Sequence, residues 1–112
     1  MMNISEEIIN DIIVLQLDGN LMGGPEAVSV NETVNRYLDE GHLKVVINLK
    51  SVERVNSSGL GILIKALTNF KSNGGELKLA NVNSNVMKLL KITKLNNIFE
   101  TYDSINSAVN SF

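Results

Sequence analysis

The stretch Val45-Val46-Ile47-Asn48-Leu49, followed by Asn56-Ser57-Ser58-Gly59-Leu60-Gly61, decides how this chain is read. Residues 43–49, LKVVINL, form a short, mostly apolar run. Such a run suits a strand in the middle of a sheet, covered on both faces, better than one half exposed to water. A few polar residues later, Leu60, Leu63, Ile64, Leu67 and Phe70 recur at helical spacing and form one apolar stripe. Asn73-Gly74-Gly75 ends that helix. A buried strand therefore passes through a short connection into an amphipathic helix.

Working outward, Ile12, Ile13, Val14, Leu15 and Leu17 make a β-branched run closed by Asp18-Gly19-Asn20, which predicts a strand, with another before it around Ile4 to Ile9. Gly23-Gly24-Pro25-Glu26 offers a flexible entry, a proline at a first helical position and an early acid. Val30, Val34, Tyr37 and Leu38 continue at helical spacing up to Gly41. Downstream, Leu77, Leu79 and Val82 predict a strand. Val86, Leu89, Leu90 and Leu95 predict a third helix after the capping residues Asn83, Ser84 and Asn85. Ile98 to Tyr102 predicts a short last strand, and Asp103 or Ser104 caps a closing helix through Ala108 and Val109. An initial hairpin followed by alternating strands and helices gives an α/β sheet with helical cover.

The chain has 112 residues, of which 44% are hydrophobic and 20% charged, with no repeat or linker and a single proline. One domain over residues 1–112 is expected, large enough to build an ordinary core without metal or disulfide staples. The absence of cysteine excludes disulfides, thiolate metal sites and cysteine nucleophiles. MMNISEEIIN lacks the basic start and continuous apolar core of a signal peptide, and no apolar run reaches the roughly 18 residues of a membrane span. A soluble, cytoplasmic protein without membrane insertion is the expectation.

The net charge of −2 leaves no basic excess for phosphate backbones, and two tyrosines and three phenylalanines are too dispersed to stack bases. Direct nucleic-acid binding is disfavoured. Charge is unevenly spread, with one base and eight acids in residues 1–41 against nine bases and four acids in residues 42–112. That polarity is of a kind that steers a charged protein partner if the fold keeps the halves apart.

Chemistry concentrates at residues 55–61. Loops leaving strand ends collect sites, and the first N–H groups of a helix are unpaired and electropositive. A phosphoryl group on a serine there is stabilised by the fold itself. Capping alone also explains these residue types, since Asn56, Ser57 and Ser58 are all favoured N-caps. Gly59 and Gly61 each cost about 1 kcal/mol relative to alanine inside a helix, which flags close approach by something.

The ordered set Val45 to Leu49, Asn56 to Gly61 and Asn73-Gly74-Gly75-Glu76-Leu77 resembles the STAS domain family of anti-sigma factor antagonists. The run Val86 to Leu95 followed by Ile98-Phe99 also fits, so the resemblance covers nearly the whole chain. It implies a mixed β-sheet of about four to five strands with about four helices. In members that work as partner switches, an anti-sigma factor serine kinase uses ATP to phosphorylate a serine at the start of this helix. The unphosphorylated form binds that kinase and frees a sigma factor, and a PP2C-type phosphatase resets the cycle. The resemblance assigns the phosphorylated position to Ser57 and partner binding to Asn56, Ser58, Gly59, Leu60, Met22, Gly23 and Gly24. This chain is then the substrate of an enzyme and not an enzyme itself, and it implies no cofactor or metal. Two positions depart from the phosphorylatable pattern: Asn56 stands where that pattern has aspartate, and Met22 stands where members commonly carry an acid. The alternative is a phosphorylation-independent STAS scaffold, or an accessory subunit of a signalling complex or a lipid-transport ATPase.

Other motifs carry less. Gly23-Gly24-Pro25 lacks the lysine and spacing of a phosphate-binding loop and reads as a structural turn, although it falls at the same sheet edge as Ser57 and can form the rim of a partner surface. Met22 is then an adaptable apolar contact. Lys88, Lys91 and Lys94 read as a solvated helix face. His42, the sole histidine, lies far in sequence from any acid–serine pairing, and Glu6-Glu7 and Asp39-Glu40 sit in polar context, so neither a catalytic triad nor acid–base hydrolysis is supported.

Overall fold

The structure, a computed structural model, describes residues 2–112. The chain opens with a hairpin. Strand β1 (Asn3–Ile9) and strand β2 (Ile12–Asp18) pair antiparallel across Asn10 and Asp11, whose φ values of 52° and 68° give the left-handed two-residue turn that matches strand twist. Helix α1 (Pro25–Asp39) then crosses to strand β3 (Lys44–Ser51), and helix α2 (Ser57–Ser72) to strand β4 (Glu76–Ala80). Helix α3 (Ser84–Ile92) and a 3-10 turn (Leu95–Asn97) lead to strand β5 (Glu100–Tyr102), and helix α4 (Ile105–Asn110) closes the chain. The five strands lie in sequential order, parallel except for β1 against β2. This is the expected mixed sheet with four helices.

Strand β3 is central, as its composition requires. Val45, Ile47 and Leu49 join Ile13, Leu15, Leu17, Leu77 and Leu79 in the main core, which buries Val30, Val34 and Tyr37 of α1 and Leu60, Leu63, Leu67 and Phe70 of α2. Full burial of each such aliphatic side chain contributes roughly 1.5–3 kcal/mol. On the other sheet face a smaller cluster of Ile12, Val14, Val46 and Ala80 packs against Ala108 and Val109 of α4.

Polar groups buried on that second face are paired. Asn48, 2% exposed, donates through Nδ2 to Gln16 Oε1 and accepts at Oδ1 from the Lys50 amide and from Asn81 Nδ2. Lys78, 3% exposed, donates to the Ser111 carbonyl and hydroxyl, with its ammonium 4.4 Å from the Phe112 ring centre. The end of α4 therefore supplies acceptors to a lysine that could not otherwise be buried.

Several boundaries differ from the sequence expectation. Val82 lies outside β4 because Asn81 turns out of the strand with φ 58°. Leu95 is not part of α3: the Thr93 hydroxyl donates to the Leu89 and Leu90 carbonyls, Lys94 adopts φ 62°, and Leu95 starts a separate 3-10 turn. Strand β3 begins at Lys44 and β5 at Glu100, one and two residues inside the expected runs. On α2 the buried face includes Ile62 and Ala66, whereas Ile64 is only half-buried at its flank.

Candidate functional site

The site is built where two connections leave the carboxyl ends of neighbouring parallel strands. The loop after β2 (residues 19–24) and the segment after β3 (residues 52–56) continue the sheet past its named strands. The Gly19 amide donates to the Ser51 carbonyl at 3.2 Å, Leu21 to Arg54 at 3.0 Å, and Asn56 to Leu21 at 3.3 Å. Leu21 and Val55 form a parallel bridge. Leu21 is fully buried in the main core, which pins this extension to the rest of the fold.

Asn56 is the N-cap of α2. Its Oδ1 accepts from the Gly59 amide at 2.8 Å, while its Nδ2 donates to the Met22 carbonyl oxygen at 3.0 Å. The side chain thereby starts the helix and holds the opposite loop. Aspartate could do only the first.

Ser57 and Ser58 occupy the first two helical positions and are exposed. Their amides have no intrahelical acceptor and sit at the positive end of the helix dipole. The Ser57 hydroxyl is thus held at an accessible, electropositive helix mouth without an acidic side chain at position 56. Gly59 is the steric hinge of the arrangement: a Cβ there would lie 1.8 Å from the Leu21 carbonyl oxygen, so only glycine lets the helix meet the loop backbone. A Cβ at Gly61 would meet nothing within 4 Å. The sequence flagged both glycines alike, and only Gly59 has a partner inside the molecule.

Gly23 and Gly24 turn the chain into α1 with φ values of 101° and 67°, and Pro25 starts that helix. A Cβ at Gly23 would lie 2.8 Å from Ser58 Cβ, so this turn packs directly beside the start of α2. Met22, Gly23, Gly24, Asn56, Ser57 and Ser58 are brought together on one rim, with Met22 43% exposed as an apolar contact. Two residues expected at a partner surface are not on it. Leu60 is 3% exposed and faces the main core, and Gly59 is buried beneath the Leu21 carbonyl; both shape the rim from below.

Sequence reasoning missed two further asparagines. Asn20 Oδ1 accepts from the Arg54 amide at 3.1 Å. Asn83, read only as a cap of α3, does cap Val86 at 2.8 Å but also donates through Nδ2 to the Val52 and Glu53 carbonyls, each at 3.1 Å. The signal was there: Asn20, Asn56 and Asn83 each lie in a connection leading from a strand to a helix. Tyr37 forms a separate cluster on the face of α1 toward β1. Its hydroxyl donates to Glu6, which also pairs with Arg36. Burial, then the Glu6 hydrogen bond and charge, push its hydroxyl above the usual tyrosine value. Among the described residues no group of three or more His, Asp or Glu is placed to hold a metal ion, and no helix is long and apolar enough to cross a membrane.

Comparison with known proteins identifies the frame around this rim. The STAS domain family model matches residues 3–108. A Thermotoga maritima protein named "Putative anti-sigma factor antagonist" is 27% identical over 103 residues, covering 92% of this chain and 91% of that protein. A crystal structure of an anti-sigma factor antagonist so named from Thermotoga maritima superposes with a TM-score of 0.89 at 26% identity, over 96% of this chain and 92% of that one. A Bacillus cell fate determinant, solved in its phosphorylated form, shares the fold with a TM-score of 0.76 at 15% identity, over 97% of this chain and 98% of that one. With a family model spanning nearly its whole length, this chain belongs to the STAS domain family.

Proposed function

We propose that this chain is an anti-sigma factor antagonist, a single cytoplasmic domain that binds an anti-sigma factor serine kinase through the Met22–Gly24 and Asn56–Ser58 rim and is controlled by phosphorylation of Ser57. The observation that carries this reading is the exposed Ser57 hydroxyl at the first position of α2, beside a loop fixed to the same helix start. Support also comes from relatives named as anti-sigma factor antagonists and from a phosphorylated protein of the same fold. The chain acts as ligand and substrate, with turnover belonging to the kinase and to a PP2C-type phosphatase.

Phosphorylation adds about −1.5 to −2 charge units and three strong acceptors. At the mouth of α2 this charge is tolerated by the unpaired amides of Ser57 and Ser58, so the modified domain stays folded. At a docked interface the same charge meets desolvated partner groups. A loss of about 3 kcal/mol there lowers affinity roughly a hundredfold. No rearrangement of the domain is needed.

The phosphorylation-independent scaffold is favoured by one specific observation: Asn56, which replaces the acid of the switching pattern, donates through Nδ2 to the main-chain carbonyl of Met22, a bond to the opposite loop that an aspartate could not make. Incubation with the kinase and ATP separates the two readings. One added phosphate on the intact chain, absent in Ser57→Ala, supports the switch, whereas a stable complex with no transfer supports the scaffold.

A further inference from the structure

The segment that delivers Ser57, residues 52–56, carries no regular structure of its own between β3 and α2. From the β2 side it is held by the backbone bridge of Leu21 and Val55, by Asn20 Oδ1 on the Arg54 amide and by Asn56 Nδ2 on the Met22 carbonyl. From the opposite side, at the start of α3, Asn83 donates from one amide group to two successive carbonyls, Val52 and Glu53. Both Nδ2 hydrogens are thereby used, and Oδ1 is used as the helix cap. Val52, 1% exposed, anchors the beginning of the segment in the core.

Building on the reading of Ser57 as the controlled residue, we propose that Asn83 is a positioning residue for it: its Nδ2 group fixes the height of the Val52–Asn56 segment on the sheet and so the placement of the Ser57 hydroxyl on the rim. The two functions of this side chain sit on different atoms. The cap belongs to Oδ1 and serves α3, while the strap belongs to Nδ2 and serves the segment before Ser57. A residue needed only to start α3 has no use for the second, since serine or aspartate caps as well.

That separation supplies the test. Asn83→Ser keeps a capping oxygen on a side chain too short to reach the Val52 and Glu53 carbonyls, and Asn83→Asp keeps the oxygen and removes the donor. Amide hydrogen exchange is measured on the isolated chain, together with kinase-catalysed phosphorylation of Ser57. In both variants the Val86 amide keeps its protection, while the Arg54 and Asn56 amides exchange about tenfold faster, as expected for losing one or two hydrogen bonds locally. KM for phosphorylation by the kinase rises severalfold, with the melting temperature within a few degrees of the parent. Unchanged exchange at Arg54 and Asn56 overturns the proposal, as does faster exchange confined to α3. If the parent chain accepts no phosphate but the exchange pattern holds, the reading of Ser57 as phosphoacceptor falls and the strap stands. If the parent is phosphorylated and both variants match it in KM and in exchange, the strap falls and that reading stands.

Discussion

The side-chain Nδ2 of Asn56 donates to the main-chain carbonyl oxygen of Met22 at 3.0 Å, so the asparagine that stands in place of the family aspartate ties the start of α2 to the backbone of the opposite loop. An aspartate at position 56 cannot make this bond and would set a carboxylate against a carbonyl. Asn56→Asp keeps the cap on Gly59 and gains about 0.3–1 kcal/mol from the helix dipole, but loses a hydrogen bond worth about 0.5–1.5 kcal/mol. Global stability in urea stays within about 1 kcal/mol of the parent. Amide exchange in the Met22–Gly24 loop rises. Asn56→Ala loses cap and bridge together and costs about 2 kcal/mol.

The two glycines of α2 behave oppositely when replaced. Gly59→Ala places a methyl 1.8 Å from the Leu21 carbonyl oxygen, which forces the helix away from the loop; a loss above about 3 kcal/mol in urea unfolding is expected. Gly61→Ala meets nothing within 4 Å and stabilises by up to about 1 kcal/mol through helix propensity. If both variants lose stability equally, the close approach of α2 to Leu21 is wrong.

Alkaline stability reports on the Tyr37 cluster. The raised pKa, caused first by burial and then by Glu6, lies above the ordinary value of 10.0. The unfolded chain therefore ionises first. The contribution of Tyr37 is fully present below pH 10 and is lost as pH rises through the folded-state value. Tyr37→Phe costs about 1–2 kcal/mol at neutral pH for the hydrogen bond to Glu6. The difference between parent and variant shrinks above pH 10 in urea titrations at several pH values.

The main core tolerates truncation poorly. Phe70, fully buried at the C-terminal end of the α2 packing face, loses about 3–5 kcal/mol as alanine, read as a lower urea midpoint at unchanged slope.

Much of the frame was legible because periodicity reports burial. The run around Ile47 marked a strand covered on both sides, and the Leu60–Phe70 stripe marked the helix that covers one of them. Ends were less legible because single residues set them: Asn81 at φ 58° cuts β4 short, and Thr93 with Lys94 stops α3 before Leu95. At the site, local chemistry offered Asn56, Ser57 and Ser58 alike as caps, and the structure makes Asn56 the cap and Ser57 the exposed first residue of the helix. The reach of Asn56 to Met22, of Asn20 to Arg54 and of Asn83 to Val52 joins residues about thirty positions apart, which no local pattern encodes. Leu60 shows the converse limit, since its place beside Ser57 in sequence says nothing about its pointing inward.

The most direct measurement is intact-mass analysis of the chain after incubation with the proposed anti-sigma factor kinase and ATP, paired with binding of each form to that kinase. One phosphate on the parent, none on Ser57→Ala, and at least a hundredfold weaker binding of the phosphorylated form are predicted. A phosphate that persists in Ser57→Ala, or equal affinity of the two forms, would contradict the switch.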